Sequence, residues 1–88
     1  MSQKKSKKRG KFQVMLNNDN VNTFDHVITC LIDICGHSYF QALQCATLTH
    51  GAHRCSVYVD NHKACENIRI ELIREGLNAT VEKYIEYV

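Results

Sequence analysis

The feature that most constrains the fold is the repeated change of hydrophobic period along a chain of 88 residues without proline. Phe12, Val14 and Leu16 alternate with Gln13, Met15 and Asn17, which predicts a strand. Asn17-Asn18-Asp19-Asn20 follows as a loop, because these side chains bond nearby backbone. Asn22 is the expected helix cap, with Asp25 in the first turn. Phe24, Val27, Ile28, Leu31 and Cys35 then fall on one helical face, and Gly36 is the stop. Ser38 and Gln41 form a capping box that opens a second helix. Ala42, Cys45, Ala46 and Thr49 make its stripe, and Gly51 is its expected end. Cys55, Val57 and Val59 alternate as a second strand. Asp60 or Asn61 caps a third helix, with Cys65, Ile68, Leu72 and Ile73 inward and Gly76 closing it. Ala79, Val81, Lys83, Ile85 and Tyr87 alternate as a third strand. The order β-α-α-β-α-β predicts an α+β fold, a two-layer sandwich whose helices cover one face of a three-stranded sheet.

Length and charge narrow the function classes. A chain this short buries about 60–65% of its unfolded surface, enough for one core. Six of the 11 basic residues (Lys4, Lys5, Lys7, Lys8, Arg9 and Lys11) precede the first acid. The remaining 5 face 9 acidic residues, so the net charge of +2 divides into +6 over residues 1–11 and −4 over residues 12–88. Residues 1–10 are expected to be a disordered basic tail, and residues 11–88 the folded domain. No apolar run approaches the roughly 20 residues of a membrane span. The basic start has no apolar segment behind it and is not a secretory signal, so a cytoplasmic location is expected, with no membrane partner.

Catalytic and metal signatures are not found. The five cysteines, Cys30, Cys35, Cys45, Cys55 and Cys65, contain no C-x-x-C pair. They read as small buried hydrophobes, and no metal or other cofactor is expected. No phosphate-binding glycine loop, H-E-x-x-H or G-x-S-x-G occurs, so the chain is not expected to be an enzyme.

The sharper feature joins Asn18-Asp19-Asn20 with His50, at the end of the second helix. An amide oxygen, a carboxylate and an imidazole converging on one point suit an ammonium group, which has three donors and no acceptor. Phe24, Val27, Ala46 and Thr49 would lie beside that point on the flanking helices. An apolar pocket beside an ammonium site reads a free amino terminus together with its first side chain.

At these residues the chain resembles the ClpS family, adaptors that deliver N-degron substrates to a Clp ATPase–protease. The stretch from Phe12 through Asn18-Asp19-Asn20 to Phe24-Asp-His-Val27-Ile resembles the family's strand, N-D-D loop and helix start. Its N-T-F-D-H-V-I form is most similar to adaptors of the Bacteroidetes group. Gln41-Ala42-Leu-Gln44-Cys45 with His50 resembles the family's second helix, and Cys55-Ser-Val57 its second strand. Glu75-Gly76-Leu77 through Val81-Glu82 resembles the family's G-L-x-A-x-I-E ending. The resemblance implies that Asn18, Asp19 and His50 hold the substrate's α-amino group. It implies that Phe24, Val27, Ala46, Thr49 and Leu77 line a hydrophobic pocket for a large first side chain. It also implies a monomer that docks the N-terminal domain of a Clp-family AAA+ ATPase, with Lys63 and Glu66 resembling the start of the docking helix. The fold implied is shared with the C-terminal domain of the ribosomal stalk protein.

The sequence departs from the family pattern at several points. Asn20 stands for the second Asp, Ala46 for a common Met, Thr49 for a Val, and His53 for a common Gly. Two other readings accompany the adaptor. One is a degenerate adaptor-like domain that only modulates its ATPase. The other is a ribosome- or nucleic-acid-associated module led by the basic tail, which the acidic domain disfavours as an expected partner class.

Overall fold

The computed structural model describes residues 11–18 and 21–85. The basic tail, Asp19 and Asn20, and Tyr87 therefore lie outside the described residues. The elements run β1 (Lys11–Asn17), α1 (Phe24–Cys35), α2 (Tyr39–Ala52), β2 (Arg54–Asp60), α3 (His62–Arg74) and β3 (Asn78–Tyr84). The strand order is β2-β1-β3 with both pairs antiparallel, so β1 is central. This is the expected α+β arrangement of three helices and a three-stranded sheet.

The inward residues of each strand meet the helical stripes. Val14, Leu16, Leu31, Leu72 and Cys65 are fully buried and form the centre of the core. Cys30, Cys45, Cys55 and Cys65 are buried free thiols and Cys35 is half-buried, so cysteine here acts as a small apolar residue. The other sheet face is polar: the Arg54 guanidinium donates to Asn17 Oδ1 at 3.0 Å and pairs with Glu82 across β1. Both partners of that ion pair are exposed, and such pairs contribute little to stability.

Local signals set most helix ends. Ser38 Oγ accepts from the Gln41 N–H at 3.1 Å while Gln41 Oε1 accepts from the Ser38 N–H at 3.3 Å, completing the capping box. Asn61 Oδ1 accepts from the Ala64 N–H at 2.8 Å and caps α3. Gly36 closes α1 at φ 75°, a left-handed conformation that glycine adopts without a Cβ penalty.

Five expectations need correction. Ile85, expected in the third strand, lies past its end at Tyr84 and is exposed. Thr23, not Asn22, caps α1; its hydroxyl accepts from the His26 N–H at 3.2 Å. Asn22 instead reaches across the chain to the Gly76 carbonyl at 2.9 Å. The second helix continues through Gly51 to Ala52 and is closed by His53 at φ 75°. Ile73 is 45% exposed, because it lies about 100° around the helix from the buried Leu72. Val59 is 41% exposed, although simple alternation places it inward. Val14 and Met15 of β1 oppose Tyr58 and Ser56 of β2, which makes Val57 the extra residue of a bulge. Beyond it the phase of β2 slips by one, so Tyr58 packs on the core and Val59 turns outward. The Val57 carbonyl accepts from Nε2–H of the buried His37 at 2.7 Å, which ties the bulge to the α1–α2 turn.

His53 is the one non-glycine residue with positive φ among the described residues. A side chain in that region costs roughly 1–2 kcal/mol, part of which glycine's extra unfolded-state entropy offsets. His53→Gly is expected to stabilise the fold by about 0.5–1 kcal/mol, read as a higher urea midpoint. An unchanged or lower midpoint contradicts a strained cap.

Candidate functional site: an apolar pocket with a polar rim

Three segments meet at one end of the sandwich. β1 ends at Asn17, and the chain enters α1 with Phe24 in its first turn and Val27 one turn on. The last turns of α2 present Ala46, Thr49 and His50 on one face, at spacings of three and four residues. The α3–β3 turn supplies Leu77 directly after Gly76, whose φ of 89° reverses the chain. The Asn22 side chain donates to the Gly76 carbonyl and so joins the loop after β1 to this turn.

Between these segments lies a pocket that opens to solvent, about 380 Å³ with the open space at its mouth counted. Leu16, Phe24, Val27, Ala46 and Leu77 give it an apolar lining, and Asn17, Asn22, Thr49 and His50 a polar one. Thr49 is buried, and its hydroxyl donates to the Cys45 carbonyl at 2.8 Å, so its polarity is satisfied within α2. Phe24 is 41% exposed and meets the His50 ring edge-on, with centroids 5.7 Å apart. That contact fixes both rings beside the opening. His50 is exposed and sits in the last turn of α2, where the helix dipole presents partial negative charge. The opening therefore favours a cation, and the interior favours an apolar side chain.

The expected pocket residues Phe24, Val27, Ala46, Thr49 and Leu77 all line this one cavity, with His50 among them. Asn18 is not among the lining side chains. Its backbone N–H donates to the His53 carbonyl at 2.9 Å, which holds the start of the loop against the end of α2. Asp19 lies outside the described residues.

The family model for the ATP-dependent Clp protease adaptor protein ClpS matches residues 7–80. The chain belongs to the ClpS family. That family is one of adaptors rather than catalysts. A solved structure, Agrobacterium tumefaciens ClpS2 bound to L-phenylalaninamide, superimposes with a TM-score of 0.82 at 21% sequence identity. The match covers 85% of this chain and 98% of that one, and establishes the shared fold. No curated protein sequence matches the chain.

Within this ClpS domain, Lys63 is exposed in the first turn of α3. Glu66 one turn on is engaged locally, accepting from Arg69 Nη2 at 2.7 Å with His62 Nε2 at 3.9 Å. Three lining residues were not expected: Leu16, Asn17 and Asn22. Leu16 was legible as a core position of β1 but not as a pocket wall. Asn22 carries a helix-cap signal that hides its long-range bond to Gly76. Among the described residues, no helix is long and apolar enough to cross a membrane.

Proposed function

We infer that this protein is an N-degron adaptor, binding substrates through a free N-terminal residue with a large apolar side chain and presenting them to a Clp ATPase–protease. The observation that carries the reading is the convergence of five apolar side chains and His50 on one open cavity at the negative end of α2. Phenylalaninamide, the ligand of the Agrobacterium relative, has a free amine, a benzyl side chain and no free carboxylate. It thus has the chemistry of an N-terminal Phe continued by a peptide bond, which is the ligand the lining here suits.

In this mechanism the first side chain enters between Val27, Ala46 and Leu77. Burial of a Phe or Leu side chain contributes about 1.5–3 kcal/mol. The ammonium stays at the mouth, where His50, Asn18 and Asp19 accept its hydrogen bonds. The dipole of α2 adds favourable potential there. A neutral His50 accepts from the ammonium, whereas a protonated one repels it. Delivery follows by docking of the α3 surface around Lys63 and Glu66 on the ATPase's N-terminal domain, with the adaptor acting as a cytoplasmic monomer. No bond of the substrate is broken on the adaptor.

The test is fluorescence anisotropy with a Phe-first peptide and its N-acetylated twin. Acetylation removes the charge and two donors, and a charge-assisted hydrogen bond contributes about 1.5–3 kcal/mol. A loss of at least about tenfold is expected for the acetylated peptide. The same loss is expected for His50→Ala with the free peptide. Equal affinity for the two peptides rejects the adaptor reading.

A further inference from the structure

A second pocket, about 450 Å³ with the open space at its mouth counted, lies on the other flank of α1 and shares no lining residue with the first. His26, Thr29, Cys30, Asp33, Ile34 and Glu75 line it. His26 and Cys30 are four residues apart on α1, a spacing that places both side chains on one helix face. His26 Nε2 lies 3.7 Å from Cys30 Sγ. Glu75, at the end of α3, brings a carboxylate so that the three ligand atoms all lie within 4.8 Å of one another.

The His26–Cys30 separation fits a metal directly, and a side-chain rotation of the exposed Glu75 brings its carboxylate in from within 4.8 Å. With Zn–N of about 2.0–2.1 Å, Zn–S of about 2.3 Å and tetrahedral angles, a nitrogen and a sulfur on one zinc sit about 3.6 Å apart. The observed 3.7 Å meets that separation without movement of α1. The donor set of imidazole, thiolate and carboxylate is one that zinc accepts, and it is poorly suited to magnesium or calcium, which take oxygen.

We propose that His26, Cys30 and Glu75 form a binding site for a zinc-class divalent transition-metal ion. On binding, the Cys30 thiol loses its proton to solvent and the Glu75 carboxylate is already ionised, so two negative charges balance the divalent cation. His26 moves its remaining proton to Nδ1 and offers the Nε2 lone pair. Nε2 now lies 2.8 Å from the Glu75 carbonyl, to which it is hydrogen-bonded. A metal about 2.0–2.1 Å from Nε2 takes the place of that N–H, so on binding the half-buried His26 ring turns to carry Nε2 off the carbonyl oxygen. Burial raises the Cys30 thiol pKa, with the charges of Glu75 and Asp33 adding to it. The negative field of these two carboxylates attracts a cation, and a bound metal reverses its effect on the thiol. The site ties the first half of α1 to the α3–β3 turn, the two segments that Asn22 already joins through Gly76.

Co²⁺ titration of the full chain under reducing conditions tests this. Wild type is expected to give a thiolate-to-cobalt charge-transfer band, four-coordinate visible bands and 1:1 stoichiometry. Zn²⁺ should displace the cobalt and raise the melting temperature. Cys30→Ser is expected to abolish the charge-transfer band. His26→Gln and Glu75→Gln alter partly or fully exposed positions and keep the test valid if Cys30→Ser folds poorly. Each is expected to weaken cobalt binding at least about tenfold. No band in wild type, or a smaller loss in both of these variants, overturns the site.

Discussion

Ala46→Phe is expected to block capture of a Phe-first peptide while the domain stays folded. Ala46 lies on α2, is 4% exposed, and borders the open cavity of about 380 Å³ with its methyl group. Phe at this position directs its ring into the space that the substrate's ring would occupy. The substrate then loses the burial of its first side chain, about 1.5–3 kcal/mol, which corresponds to a fall in affinity of roughly 10- to 150-fold. Because the pocket opens to solvent, the new ring can extend toward its mouth instead of into packed neighbours. The urea midpoint should therefore hold or rise slightly. Anisotropy titration and a denaturation curve on one preparation read both quantities. Unchanged peptide affinity in the folded variant would place the first side chain elsewhere.

The second large effect is on stability. Leu31→Ala should cost about 2–5 kcal/mol, because Leu31 is fully buried at the centre of the core. Deleting its branched end removes apolar contacts and leaves a void that α1 and the sheet cannot collapse to fill. In a domain whose whole stability is about 5–15 kcal/mol, that is a large fraction. With a shift of about 4–8 °C per kcal/mol at this size, the melting temperature should fall by roughly 8–40 °C. Leu48→Ala serves as the comparison. Leu48 is on α2 but 46% exposed, and its loss should stay near 0.5 kcal/mol or below. Equal losses for the two variants would contradict the placement of the core.

The sequence made the pocket legible to an uneven degree. Phe24 and Val27 shared a helix stripe, and Ala46 and Thr49 another with His50 at the end of that helix, so the two walls were each local patterns. Their meeting with Leu77 follows from packing, although the family resemblance anticipated it. Val59 misled because a bulge at Val57 changes the phase of β2, and a bulge is a property of the pairing with β1 rather than of β2 alone. Asn22 misled because its cap signal is real in type, yet Thr23 is one residue better placed to receive the His26 N–H. His26 and Cys30 escaped notice because zinc signatures weigh C-x-x-C spacings, whereas a helix presents ligands four residues apart.

By itself, then, the sequence determined the order of the six elements, most of the apolar stripe of each helix, the capping box at Ser38 and the stop at Gly36, and it narrowed the cap of α3 to Asp60 or Asn61. All of these depend on side chains within one or two turns of each other, so period and capping chemistry suffice. The tertiary structure alone decided the strand order β2-β1-β3, the bulge at Val57, the positive φ of His53 and the two cavities on either flank of α1. The bond from Asn22 to Gly76 spans 54 residues. Contacts of that separation depend on how the helices settle on the sheet, and no local window of the chain contains both partners.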